Sequence, residues 1–265
     1  MNIAIIQARM NSKRLPGKVM KKIGDYPILS HVIKQTLSSK MIDDVVVATS
    51  VSKDDKIITD YCKKNKIKFF TGSEHDVLDR FYKCAKKFNC DPIIRISADS
   101  PFVDPVIIDR VLKKFQKNSF DYVSNNIEKM NSDWKNSTCN FAVGTVIEIS
   151  TFDALKTAWK NAKRPSEREH VFPYIQFNPE LFTLSNVMSK KNFSNIRITV
   201  DKSNDLKFVR EIYSRFNKKK KYITITDINK ILEKEPKLLK INSQTDFEEG
   251  YKKSLKEDQK KGFKK

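Results

Sequence analysis

The stretch Asn2-Ile-Ala-Ile-Ile-Gln-Ala-Arg-Met-Asn-Ser-Lys-Arg-Leu-Pro-Gly-Lys18 decides the fold. It opens on a short apolar run, which predicts a buried strand. The apolar character then stops. Arg9, Lys13, Arg14 and Lys18 crowd into a loop whose turn is marked by Pro16-Gly17. Ligands of open α/β sheets sit outside the carboxyl ends of the strands. Cations and backbone N–H groups gathered there suit a nucleoside triphosphate. The loop is not a Walker loop, because Lys18 is followed by Val19 rather than Ser or Thr. Nor is it a dinucleotide fingerprint, since Gly17 is the only glycine nearby. On composition alone, a solvated basic loop with no ligand accounts for these residues equally well.

Working outward, the chain has 265 residues, enough to bury a sizeable core as one domain with an appendage. Its residues are 39% hydrophobic and 32% charged, which places it among globular proteins, and no run reaches the roughly 18 apolar residues of a membrane helix. No basic-then-apolar leader opens the sequence, so a cytoplasmic location is expected. Cys62, Cys84, Cys90 and Cys139 lack metal-ligand spacing and read as reduced thiols. The net charge of +20 raises the alternative of a nucleic-acid-binding protein. Against it, Lys supplies 42 of the 52 cations, scattered along the chain, and aromatics are not interleaved with them.

Apolar spacing predicts helices over 27–38, 54–64, 74–88 and 105–115, alternating with strands over 45–49, 67–70 and 93–97. Such alternation predicts an α/β fold: a single doubly wound, mostly parallel sheet with helices on both faces. Beyond Phe120 a strand over 121–125 is expected, then a long polar loop over 126–140. Further strands are expected over 141–149, 181–187 and 196–200. Ser166 and Glu169 have capping-box spacing, and Ser203 and Thr226-Asp227 have the look of helix starts. Asp104 before Pro105 reads as a helix cap.

Two aspartates follow apolar runs. Asp99 ends Arg95-Ile-Ser-Ala-Asp99 and Asp201 ends Ile196-Arg-Ile-Thr-Val-Asp201. Both carboxylates would emerge at the sheet edge that carries the basic loop, where two hard oxygen donors beside a triphosphate suit Mg²⁺. The bland alternative is that one of them caps a turn or helix.

The pattern Arg9-x-x-Ser12-x-Arg14-Leu-Pro-Gly-Lys18 after an N-terminal strand resembles the signature loop of the sugar-acid cytidylyltransferases, which activate KDO and acylneuraminate. Gln7-Ala8-Arg9, Gly72-Ser-Glu-His-Asp-Val-Leu-Asp-Arg80, Glu167-Arg-Glu-His-Val-Phe-Pro-Tyr-Ile175 and Gly250-Tyr-Lys-Lys-Ser-Leu-Lys-Glu-Asp258 resemble the spore-coat polysaccharide branch, the SpsF-type proteins. The resemblance implies a Rossmann-like nucleotidyltransferase fold. It also implies transfer of CMP from CTP to a sugar acid, with release of pyrophosphate, in surface polysaccharide or glycoconjugate biosynthesis.

Residue by residue, the resemblance assigns Ala8, Arg9, Ser12, Arg14, Lys18 and Arg80 to the nucleotide, and Asp99 and Asp201 to Mg²⁺. Arg14, Lys18, Asp99 and Asp201 would carry the chemistry. Arg168, Glu169 and His170 would face either the acceptor or a second subunit of a homodimer. The expected organisation is a nucleotidyltransferase domain over 1–241, with an acceptor and dimerisation region near 127–187, and a polar Lys-rich tail over 242–265 that docks in part. Cys139-Asn-Phe-Ala-Val143 departs from the acidic, glycine-containing stretch of relatives, so the acceptor stays unnamed. A relative with another nucleotide or acceptor, or without catalysis, is the alternative.

Overall fold

The computed structural model describes residues 1–126, 140–217, 219–244 and 249–263. Trp134 and Cys139 of the expected polar loop, and Lys218 of a later lysine run, lie outside them. A seven-stranded, mostly parallel sheet forms the centre, in the order β5-β4-β1-β6-β8-β7-β9. The strands are β1 (Ile3–Gln7), β4 (Asp44–Ser50), β5 (Lys68–Gly72), β6 (Ile93–Ser97), β7 (Tyr122–Ser124), β8 (Glu148–Ser150) and β9 (Leu184–Asn186). A two-stranded antiparallel piece, β2 (Lys22–Ile23) with β3 (Tyr26–Pro27), lies apart. Within the sheet, β8 runs antiparallel to both β6 and β7, and the other pairs are parallel.

Strand geometry sends alternate side chains to opposite faces, and β1 shows this directly. Ala4 and Ile6 enter the core packed by α1 (Ile28–Thr36), α4 (Pro105–Lys117) and α8 (Ser203–Arg215). Ile3 and Ile5 enter the core packed by α3 (Val77–Phe88) and α5 (Phe152–Asn161). The two faces are therefore covered independently, as a doubly wound sheet requires. Remaining helices are α2 (Lys56–Lys64), α6 (Pro165–His170), α7 (Pro173–Gln176), α9 (Ile225–Lys234) and α10 (Glu249–Lys260). No helix among the described residues is long and apolar enough to cross a membrane. Cys62 and Cys90 are buried and free, and burial pushes both thiols up to about 11.

Several expectations are corrected. The strand expected over 141–149 is reduced to Glu148–Ser150. Gly144 turns at φ 106°, and Thr145 bonds back to Ala142 O through its N–H and hydroxyl, which breaks the extended run. A Cβ on Gly144 would stand 2.7 Å from the Thr199 nitrogen, so the chain passes there only without a side chain. Residues 196–200 do not join the ladder. They run beside Val143 through a single parallel bridge. Helix α3 starts at Val77 rather than at residue 74, because the Asp76 side chain accepts from Asp79 N and ends the preceding turn; His75 lies exposed outside it.

The capping expectations also shift. In α6, Glu167 rather than Glu169 accepts the N–H groups of Lys163 and Arg164. In α8, Ser203 is the first helical residue, and Asp205 accepts from Asp201 N and Lys202 N. Thr224 caps α9, one turn-step before the expected start. Asp104 caps α4 as expected and also accepts from Ile225 N, which ties α9 to α4.

Candidate active site

The carboxyl ends of β1 and β6 are neighbours, with Gln7 paired to Ser97. Ala98 N donates to Gln7 O, so the basic loop and Asp99 leave the sheet side by side. Asp201 arrives by another route. Val200 N donates to Asp99 O at 2.8 Å, which fixes the end of the 196–200 segment against the end of β6. Two carboxylates roughly a hundred residues apart in sequence are thereby delivered to one place.

The loop is shaped by its own backbone and by one buried carboxylate. Ala8 is buried, and its N–H donates to Ala48 O. Gly17 N closes onto Met10 O at 3.0 Å, with Gly17 at φ 65°, a left-handed conformation that favours glycine. Ser12 Oγ accepts from Leu15 N inside the turn. Asp55, 1% exposed, accepts from Met10 N at 2.6 Å and also from Thr49 Oγ1, Ser50 N and Ser50 Oγ. Four donors satisfy this buried charge, and the loop entrance is pinned to the end of β4.

At the centre, Lys18 Nζ lies 2.6 Å from Asp99 Oδ2 and 2.8 Å from Asp201 Oδ1. Arg14 Nη2 donates to the same Asp201 oxygen at 2.7 Å. Behind them Arg197, nearly fully buried, donates to Asp201 Oδ2 at 2.5 Å and to Asp205 Oδ1 at 3.1 Å. Burial opposes the charge on Lys18, but Asp99 and Asp201 outweigh it and hold its pKa above the ordinary lysine value. Burial likewise opposes the charge on Asp99, and Lys18 with the Ser97 hydroxyl overrides it, holding that carboxyl below its ordinary range. Lys18 and Asp99 therefore face each other as a charged pair at neutral pH.

The other expected residues are spread around this centre. Arg9 pairs with Glu169 at 2.8 Å, so α6 reaches the loop. Arg168 instead grips Asp76, the cap of α3, and donates to Trp159 O at 2.7 Å. His170 Nε2 meets Ser254 Oγ at 3.0 Å on α10. Burial, then the charges of Arg95 and Arg9, lower the His170 pKa to about 4. Arg80 is fully buried: its Nη1 donates to Ser73 O, while Nε and Nη2 have no hydrogen-bond partner. Among the nucleotide residues expected from sequence it is the one charged group with no exposed surface.

Cytidylyltransferase family models match residues 3–253, nearly the whole chain. The chain belongs to the cytidylyltransferase family. It is 40% identical over 243 residues to an uncharacterised protein of Methanocaldococcus jannaschii, covering 91% of this chain and 94% of that protein. It is 32% identical over 219 residues to the spore coat polysaccharide biosynthesis protein SpsF of Bacillus subtilis, covering 80% of this chain and 85% of SpsF. A solved cytidylyltransferase from Leptospira borgpetersenii superposes with a TM-score of 0.81 at 30% identity, covering 93% of this chain and 99% of that one.

Within this cytidylyltransferase the residues that sequence reasoning missed are those acting through others. Asp55 shapes the loop entrance but lies in a stretch, 54–64, expected only to be a helix. Arg197 and Asp205 hold Asp201, yet sit in a stretch that read as a strand and a helix start. A second polar cluster also escaped notice. Arg95 donates to Glu148 and to Gln7 Oε1, Tyr122 donates to Glu148 Oε1 at 2.8 Å, and Gln176 donates to the Tyr122 oxygen.

Proposed function

We propose that this family member transfers CMP from CTP to a sugar acid, in the biosynthesis of a surface polysaccharide or glycoconjugate in the cytoplasm. The observation that supports it is the convergence of Arg14, Lys18, Asp99 and Asp201 at one point on the carboxyl edge of the sheet. In the reaction, the acceptor hydroxyl oxygen bonds to the α-phosphorus while the α–β phosphoanhydride bond breaks. Pyrophosphate departs, and the hydroxyl proton passes to water. Arg9, Arg14 and Lys18 would bind the polyphosphate and hold the charge that develops on the leaving group. Ala8 and Ser12 would offer backbone and hydroxyl contacts, and Arg80 would stand in the wall beside the nucleotide.

The same donors suit Mg²⁺. Asp99 and Asp201 are hard oxygen ligands meeting at one cation, and no cluster of three or more metal-ligating side chains exists among the described residues. Two carboxylates with water and phosphate completing the shell is the usual magnesium arrangement. When bound there, Mg²⁺ would polarise phosphoryl oxygens and lower the acceptor hydroxyl pKa.

Arg168, Glu169 and His170 of α6 would face the acceptor or a second subunit, and of these Glu169 pairs with Arg9 of the loop. Phe177 and Leu181, 52% and 56% exposed, follow in the chain and would serve a homodimer. A thermal-shift panel of CTP, UTP, ATP and GTP with Mg²⁺, followed by pyrophosphate release against a set of 2-keto sugar acids, tests the reading. CTP should stabilise most and one acid should release pyrophosphate. Equal stabilisation by ATP and CTP removes the cytidylyl specificity.

A further inference from the structure

The C-terminal helix α10 reaches the loop. Glu249, its first residue, places Oε2 2.8 Å from Lys202 Nζ and 3.4 Å from Arg14 Nη1. Arg14 belongs to the centre described above, where it donates to Asp201, and Lys202, the residue after Asp201, meets it through the shared Glu249 oxygen. The far end of α10 is anchored firmly. Buried Asp258 accepts from Ser166 N at 2.9 Å and from Ser166 Oγ at 2.5 Å. Between these ends, Ser254 meets His170, and the Tyr251 ring packs edge-on against the His170 ring. Helix α10 therefore has a buried, doubly bonded end on α6 and an end held over the loop by ion pairs of a half-exposed carboxylate.

We propose that Lys202 is a further polyphosphate ligand, and that Glu249 is a displaceable carboxylate strap occupying the anion subsite between Arg14 and Lys202 until a polyphosphate enters. A carboxylate carries one charge. A terminal phosphate carries close to two charges and three strong acceptor oxygens, so it outcompetes the carboxylate for the same two cations. The strap end of α10 then lifts while the Asp258 end stays on α6. The inference rests on the loop holding a nucleoside triphosphate, but its probe needs no base.

The experiment titrates the full chain, in Mg²⁺, with inorganic pyrophosphate, CTP and CMP, by calorimetry. Exposed ion pairs contribute modestly, so Glu249→Gln should tighten pyrophosphate and CTP about two- to five-fold and leave CMP unchanged. Lys202→Met should weaken pyrophosphate by a similar factor, and adding Glu249→Gln to it should recover little. Hydrogen exchange should show pyrophosphate freeing the amides of residues 253–255, which bond to the first-turn carbonyls of α10, while those beyond Asp258 stay protected. Glu249→Gln binding that equals or falls below wild type, or Lys202→Met binding that equals it, overturns the strap. CTP binding no tighter than pyrophosphate, with the pyrophosphate effects intact, would overturn only the nucleotide assignment. Absence of pyrophosphate binding in every variant overturns both.

Discussion

Replacing Lys18 by Met tests the centre most directly. The ammonium is shared by two carboxylates whose side chains are 20% and 12% exposed, and its own side chain is 12% exposed. After its removal Asp201 keeps Arg14 and Arg197, but among the described side chains Asp99 keeps the Ser97 hydroxyl alone, at 2.6 Å. The cost therefore falls on Asp99. Stripping a partner from a buried charge costs about 3–5 kcal/mol, and partial exposure puts this case near the low end, about 3 kcal/mol. For a chain of this size that is a fall in Tm of roughly 6–12 °C. Asp99, held below 3.8, contributes stability present above that pH and lost as pH falls through its folded value. Lys18, held above 10.5, contributes stability present below that pH and lost as pH rises through its folded value. The Lys18→Met loss should thus be full-sized at neutral pH. Adding Asp99→Asn removes the orphaned charge and should recover most of it. Mg²⁺ should raise the Tm of Lys18→Met more than that of wild type, because both carboxylates then lack their ammonium. A single variant as stable as wild type, or a double variant no better than the single, refutes the charge-sharing account.

The two aspartates should behave differently from each other. Asp99→Asn should abolish Mg²⁺-dependent pyrophosphate release with a small change in Tm, whereas Asp201→Asn, which leaves Arg14 and Arg197 without their carboxylate, should also lower Tm; near wild-type turnover in either variant rules out their joint role. Arg80→Met keeps volume while removing a buried charge with two unpartnered N–H groups, so stability should hold or rise. CTP affinity should fall if the side chain serves the nucleotide, and a marked loss of Tm with unchanged affinity assigns Arg80 to packing instead. His170 is half-buried, and its folded pKa of about 4 lies below the ordinary 6.5. The unfolded chain therefore takes up the proton first as pH falls, and stability drops from near 6.5 downward, by up to about 2 kcal/mol at pH 5. His170→Gln should flatten that part of a Tm-versus-pH curve, and an unaltered curve excludes the histidine as its source.

The first half of the fold was open to reading because its signals are local. The sheet strands β1, β4, β5 and β6 are each built on an apolar run that a polar residue follows, and each helix between them repeats apolar residues at helical spacing; the two-residue strands β2 and β3 carry no such run and were not expected. Asp104-Pro105 names its own helix start. Of the later strands, β7 and β9 fall within the runs expected at 121–125 and 181–187, whereas 141–149 and 196–200 were misread because their apolar residues serve a path rather than a ladder. Val143 and the 196–200 segment are extended and buried, yet Gly144 and the Val200–Asp99 bond direct them to the site instead of into the sheet. That Arg14, Lys18, Asp99 and Asp201 would meet at one sheet edge was legible because Asp99 and Asp201 each follow an apolar run and Arg14 and Lys18 lie in the basic loop that follows another. Asp55 and Glu249 were not legible, since Met10, Arg14 and Lys202 lie tens to hundreds of residues from them, and Arg197, though close in sequence to Asp201 and Asp205, sits inside a run that reads as a strand. No periodicity in sequence carries such pairings.

The charge of +20 belongs to the surface and not to this centre. Arg9 is paired with Glu169. Arg14 and Lys18 share Asp201, with Asp99 and Glu249 on their outer sides. Lys202 is paired with Glu249, and Arg197 with Asp201 and Asp205. Five cations face five carboxylates, so the centre is close to neutral before any ligand arrives. Of the loop cations only Lys13, exposed, has no ion pair among the described residues. A polyphosphate cannot simply add its charge to such a set, because each cation it takes leaves a carboxylate uncompensated. On the proposed reading, binding would be an exchange, in which Asp99 and Asp201 would give up Lys18 and acquire a replacement cation. An excess of lysine elsewhere draws anions toward the protein, and its effect is screened by salt beyond about 10 Å at 0.1 M. The exchange itself occurs at contact distance and is screened much less. Ionic strength should therefore slow nucleotide association far more than it speeds dissociation, and an equal effect on both rates would place the decisive charges on the surface.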